Sequence, residues 1–66
     1  MTTILKQFGT DYGEITLTER VEGLRYWVTL TLYGEQTDAP YVLCITDDLE
    51  PAEDVYYQAV ERFAKY

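Results

Sequence analysis

Residues 24–33 alternate strictly between two sets of side chains, and this pattern restricts the fold more than any other feature. Leu24, Tyr26, Val28, Leu30 and Leu32 form one set; Arg25, Trp27, Thr29, Thr31 and Tyr33 form the other. A period of two belongs to an extended strand, whose successive Cβ atoms point to opposite faces. A helix would scatter the same apolar residues around its whole circumference. Residues 24–33 are therefore expected to form a strand with one buried face and one mixed face.

The neighbouring segments can be read against that strand. Residues 14–20 also alternate, with Ile15 and Leu17 on one side and Thr16 and Thr18 on the other, and Val21-Glu22-Gly23 between the two runs reads as a tight reversal. Residues 34–40 read as a polar loop. Residues 41–46 are a third strand, almost continuously apolar, and placing its bulkier residues inside buries Tyr41, Leu43 and Ile45. Before these, residues 3–8 suit a short strand or a helical turn, and Gly9 to Gly13 a loop.

The last third has a different period. Ala52, Val55, Tyr56, Ala59, Val60 and Phe63 recur at the spacing of one helical stripe. Pro51 suits the first turn, where a missing N–H removes no hydrogen bond, and Asp48 or Glu50 is the cap. The expected architecture is α+β: a three-stranded antiparallel meander with a C-terminal amphipathic helix on one face, in a single domain spanning residues 1–66. The other sheet face, with Thr16, Thr18, Arg25, Trp27, Thr29, Thr31 and Tyr33, is left open.

Composition narrows the function. A chain of 66 residues supports one small core, worth about 3–5 kcal/mol. The lone Cys44 cannot form an internal disulfide and reads as a small buried residue, which suits a reducing compartment. At 47 % hydrophobic and 15 % aromatic, the chain is too apolar to be a disordered acidic tail. There is no His, Ser or Asn, so Ser–His–Asp and Cys–His catalysis and histidine zinc sites are excluded. A carboxylate pair would need a concave pocket that so short a chain has little material to build. The expectation is no enzyme, no cofactor and no metal. No apolar run reaches the ~20 residues that span a bilayer, so a cytoplasmic, membrane-free protein is expected.

Charge is the most unusual property. Twelve acidic residues against five basic ones give −7, which disfavours direct contact with nucleic acid or anionic lipid and favours a basic protein surface. Asp47-Asp48-Leu49-Glu50-Pro51-Ala52-Glu53-Asp54 holds five carboxylates in eight residues. A helix N-terminus gains ~0.3–1 kcal/mol from each nearby anion, so one or two such groups have a structural role. Five exceed that need, and the spacing and central glycine of a calcium loop are missing. Glu35 and Asp38 add acid to the second loop, while Glu22 belongs to the first turn and Glu19 lies beside it. Trp27, Tyr33 and Tyr57 are candidate exposed aromatics, the residue types that bury much area at interfaces with few rotamers. For Trp27 the alternative is a second small cluster against Ile4 or Phe8 of the N-terminal segment.

In size, acidity, tyrosine content and the run from Arg25-Tyr26-Trp27 through Tyr41-Val42-Leu43-Cys44-Ile45-Thr46-Asp47-Asp48 to Phe63, the chain resembles small acidic phage-encoded anti-CRISPR proteins of the DNA-mimic type. The likeness covers most of the chain as layout and composition, with no shared signature motif. It implies an inhibitor that docks on the basic DNA-binding surface of a CRISPR effector and blocks target recognition at the protospacer-adjacent motif. The matching acidic groups would be Glu35, Asp38, Asp47, Asp48, Glu50, Glu53 and Asp54. The competing expectation is a small cytosolic structural or regulatory adaptor, monomeric or homodimeric through the open sheet face, whose acidity serves only solubility.

Overall fold

A computed structural model describes residues 2–34 and 40–64. Four strands, β1 (Thr3–Gly9), β2 (Gly13–Val21), β3 (Arg25–Leu32) and β4 (Tyr41–Thr46), form one antiparallel sheet in the order β1-β2-β3-β4, followed by one helix, α1 (Leu49–Phe63). The α+β class and the helix on one face are as expected. The sheet has four strands rather than three, because residues 3–9 pair along the free edge of β2. That edge would otherwise leave a row of backbone donors and acceptors unpaired.

Each element begins and ends for a local reason. The β2–β3 reversal is closed by the Leu24 N–H donating to the Val21 carbonyl at 2.9 Å. Gly23 occupies its third position with φ 68°, a conformation that only glycine adopts without strain. Leu24 therefore belongs to the turn and is exposed, instead of heading the buried face of β3 as its alternation suggests. At the opposite end, Thr10 N–H donates to the Gly13 carbonyl at 2.8 Å and Tyr33 N–H to the Tyr12 carbonyl at 2.9 Å, which ties the first loop to the end of β3. Gly13 sits so close to β3 that a Cβ there would collide with the Thr31 carbonyl.

The core lies between β2, β3 and the helix. Ile15, Leu17, Tyr26 and Val28 from the sheet meet Ala52, Tyr56 and Phe63 from the helix, with Phe8, Leu30, Leu32, Cys44, Val55, Ala59 and Val60 packed around them. The helical stripe read from the sequence is the buried face. Thr16, Thr18 and Thr29 on the other face are buried too, although no element among the described residues crosses them. Both central strands are flanked by neighbours, and cross-strand side chains cover short threonines from either side.

β4 departs from expectation. Cys44 lies opposite Val28 and joins the core, whereas Ile45 lies opposite Trp27 on the open face and is exposed. Leu43 falls at a register shift between Val28 and Thr29, and Tyr41, opposite Leu30, stays half exposed. Burying Tyr41, Leu43 and Ile45 together is thus wrong. One extra residue at Leu43 breaks the two-residue period, and an edge strand has only one neighbour to cover it. Among the described residues no helix is long and apolar enough to cross a membrane.

Candidate interaction surface

The meander gives the molecule two unlike ends. β2 finishes, β3 starts and β4 finishes at one end, with Glu19 opposite Tyr26 and Tyr26 opposite Thr46. The helix also starts there, at Leu49. Glu19 and Glu22 from the first reversal therefore lie at the same end of the sheet as Asp47, Asp48 and Glu50, separated from them by β3, with Glu53 and Asp54 one helical turn on. Seven of the ten described carboxylates gather at this end; Asp11, Glu14 and Glu61 lie toward the other. Arg20 and Arg25 also belong to the β2–β3 reversal at this end.

Local bonding fixes the backbone here and leaves the acids exposed. The Thr46 hydroxyl donates to the Asp48 carbonyl at 2.6 Å, which sets the bend from β4 into the helix. Asp48 is the N-cap residue, with extended backbone (φ −118°, ψ 142°), yet its carboxylate makes no capping hydrogen bond. Glu50 lies inside the helix, so the choice between the two caps falls on Asp48, and Pro51 is the third helical residue. Asp47, Asp48, Glu50 and Asp54 are exposed, and the five carboxylates of the 47–54 run form no salt bridge with the described residues. Glu19 has a structural role. It accepts from the Gly23 N–H at 3.3 Å, and with burial it holds the Tyr26 hydroxyl above the ordinary tyrosine range. Asp48 adds to that shift, so the charges of Glu19 and Asp48 act on one phenol.

The remaining candidates are distributed unevenly. Glu53 is half-buried and its charge reaches Lys6, whose ammonium lies 5.5 Å from the centre of the Tyr57 ring. Tyr57 is exposed and stands edge-on to Tyr56 at 5.4 Å, so it flanks the acidic run on the helix. Tyr33 is exposed at the other end, where its hydroxyl donates to Glu14 at 3.4 Å and Gln7 donates to the same carboxylate oxygen at 2.9 Å. It does not join the acidic end. Glu35 and Asp38 lie outside the described residues.

Trp27 is half-buried on the open face. Ile4, Thr18, Trp27 and Ile45 form one row across all four strands, so Ile4 does share its face, while Phe8 packs on the helix side. The Arg20 guanidinium lies 4.5 Å above the indole, and its Nε donates to the Thr18 hydroxyl at 3.1 Å. The indole N–H is buried with no partner among the described residues. The Arg20 stack was not foreseen, although its position two residues beyond Thr18 in an alternating strand places it on this face. Glu19 and Glu22 were read only as acids beside the turn, and their meeting with the 47–54 run follows from the meander. At the far end an apolar hollow of about 580 Å³ is lined by Tyr12, Leu30, Leu32 and Phe63.

The described chain is thus a four-stranded antiparallel meander covered by one helix, with seven of its ten described carboxylates toward one end. Compared with protein-family models, with curated proteins and with solved structures, it shows no match.

Proposed function

We propose that the protein is an inhibitor whose acidic end occupies a basic groove that otherwise holds DNA, and that the groove belongs to a CRISPR effector complex. The observation that carries this reading is the gathering of Glu19, Glu22, Asp47, Asp48, Glu50, Glu53 and Asp54 toward one end of the folded chain. Solubility requires charge but not its segregation, since repulsion among like charges works against the fold. Helix neighbours three or four residues apart stand ~5–6 Å from one another, on the scale of the phosphate spacing along a nucleic-acid strand. The unspent Asp48 carboxylate supports the same reading, because its cap position supplies a structural role that the side chain does not perform. Tyr57 beside the run supplies aromatic area, and no catalytic step, cofactor or direct nucleic-acid contact is part of the mechanism.

The test is competition for target DNA. Purified effector complexes are mixed with labelled target duplex, and the protein is added as wild type or as the Asp47→Lys, Asp48→Lys double variant. Wild type should displace the duplex from its effector, with an affinity that falls as salt rises. The double variant should lose displacement while keeping its circular dichroism. Undiminished displacement by the folded variant refutes the proposal.

A further inference from the structure

We propose that Arg20, Arg25 and Trp27 on the open sheet face form a docking site for an acidic segment of another protein, one that presents a carboxylate between apolar side chains. β2 and β3 fall out of register between Glu19 and Val21, which leaves Arg20 as an extra residue at that step. A bulge of this kind re-aims a side chain. Here it lays the Arg20 guanidinium 4.5 Å from the centre of the Trp27 ring, and Nε donates to the Thr18 hydroxyl at 3.1 Å. Arg25 is exposed two residues before Trp27 in the same strand, so alternation sets it on the same face.

Both guanidinium groups are unspent. In a chain with twelve acidic side chains, neither Arg20 nor Arg25 makes an ion pair among the described residues, and the two Nη nitrogens of Arg20 have no acceptor there. The reason lies in where the acids are. Glu19 belongs to the helix side, opposite Tyr26, and accepts from the Gly23 N–H. Glu14 is the one acid that the strands place on the open face, and it stands at the far end of β2, where Gln7 and Tyr33 donate to it. Two like charges flanking one step of a ladder repel each other, and an anion between them relieves the repulsion. A carboxylate suits the site because its two oxygens match the planar guanidinium fork. The Thr18 bond and the indole hold that fork in one pose, so little side-chain freedom is left to lose on binding.

The surroundings select the occupant. Ile4 and Ile45 lie in one row with Trp27 across the sheet and are 58 and 51 % exposed, and Val21, opposite Arg25, is 46 % exposed. Such side chains gain from burial against apolar groups, which a sugar–phosphate chain does not supply. A nucleic acid or a second copy would also bring many negative charges to a chain of −7. One carboxylate meets the arginines at contact, and charges more than ~8 Å away are largely screened at physiological salt. The patch lies at the end of the sheet away from Gly34 and Pro40, which bound the undescribed residues 35–39. The site is independent of the role proposed for the acidic end, and no effector enters its test.

Trp27 is the only tryptophan, so its fluorescence reports on the site. Titration of the full chain with acetyl-Leu-Phe-Glu-Leu-Ile-amide at physiological salt should give a saturable change at millimolar peptide. The same peptide with Gln in place of Glu should bind about tenfold more weakly, the loss of one charge-assisted hydrogen-bonded pair. Arg20→Lys, which keeps the charge but not the fork, and Arg25→Gln should each weaken the Glu peptide by a similar factor with circular dichroism unchanged. Arg62→Gln, which removes an exposed positive charge from the last turn of the helix, should bind as wild type. No saturable change with wild type overturns the proposal, as do equal affinities for the two peptides or a loss in Arg62→Gln equal to that in Arg20→Lys. Displacement of the peptide by a thymidine oligonucleotide overturns it by giving the patch to a nucleic acid. An average mass above 7.7 kDa in sedimentation that Arg20→Lys returns to that value overturns it by giving the patch to a second copy.

Discussion

Replacing Asp48 by alanine separates a carboxylate used by the fold from one left free for a partner. At an N-cap whose side chain bonds the helix, such a change costs typically ~1 kcal/mol. Asp48 makes no such bond, so that loss is absent. Two smaller effects remain. The anion gains ~0.3–1 kcal/mol from the helix dipole, and that gain disappears. Against it, two exposed charges ~6 Å apart in water repel by ~0.7 kcal/mol, roughly halved by physiological salt, so each acidic neighbour removed from contact returns ~0.3 kcal/mol. With Asp47, Glu50 and Glu19 nearby, the two effects nearly cancel, and the net change should lie within ~0.5 kcal/mol of zero. Urea denaturation followed by circular dichroism at physiological salt measures it. A phenolate titration adds an internal control: burial and Glu19 raise the Tyr26 hydroxyl most, Asp48 contributes, and the variant should titrate at lower pH. A loss above ~1 kcal/mol would show that the carboxylate caps the helix, and the reasoning that leaves it free for a partner would fail.

Four further outcomes test the fold. Burial, aided by Glu19 for Tyr26 and by Glu14 for Tyr33, raises the hydroxyls of Tyr26, Tyr33 and Tyr56, and the neighbouring Tyr57 leads the causes that raise Lys6. The folded state then holds these protons more tightly than the unfolded one, so their stabilisation is complete below pH ~10 and is lost as pH rises through the folded values, which urea midpoints at neutral and alkaline pH should show. Gly13→Ala places a Cβ against the Thr31 carbonyl and should lower stability by ~1–3 kcal/mol in the same assay. Leu17→Ala empties a fully buried site in a central strand at ~2–5 kcal/mol, close to the whole ~3–5 kcal/mol of so small a core, so the chain should be largely unfolded by circular dichroism. Ile15→Val, at ~0.5–1.5 kcal/mol, should remain folded.

The legible parts of the fold were those with an unbroken period. β2, β3 and the helix each carry a repeat long enough to name both the element and its buried face, and Ile15, Leu17, Val28, Ala52, Tyr56 and Phe63 are buried as those repeats require. β1 was ambiguous because Ile4, Leu5 and Phe8 suit one helical turn as well as a strand, and pairing with β2 decided the matter. β4 misled because apolar residues lie on both of its faces and a register shift at Leu43 changes the parity midway. The acidic run was visible at once as composition. Its meeting with Glu19 and Glu22 depended on the meander, and the open Asp48 cap depended on dihedrals and bonding that no residue pattern encodes. Tyr33 stands at the opposite end because ten alternating residues carry a chain from one end of the sheet to the other.

Hydrogen exchange on the protein, free and mixed with the effector complex proposed as its target, tests most directly whether the acidic end is the part that engages a partner. Slowed exchange should concentrate in the first reversal around Glu22 and Gly23 and in the start of the helix from Asp47 to Asp54. Protection confined to the Tyr12–Phe63 hollow or to the Tyr33 end, with the helix start exchanging as in the free protein, would contradict the account.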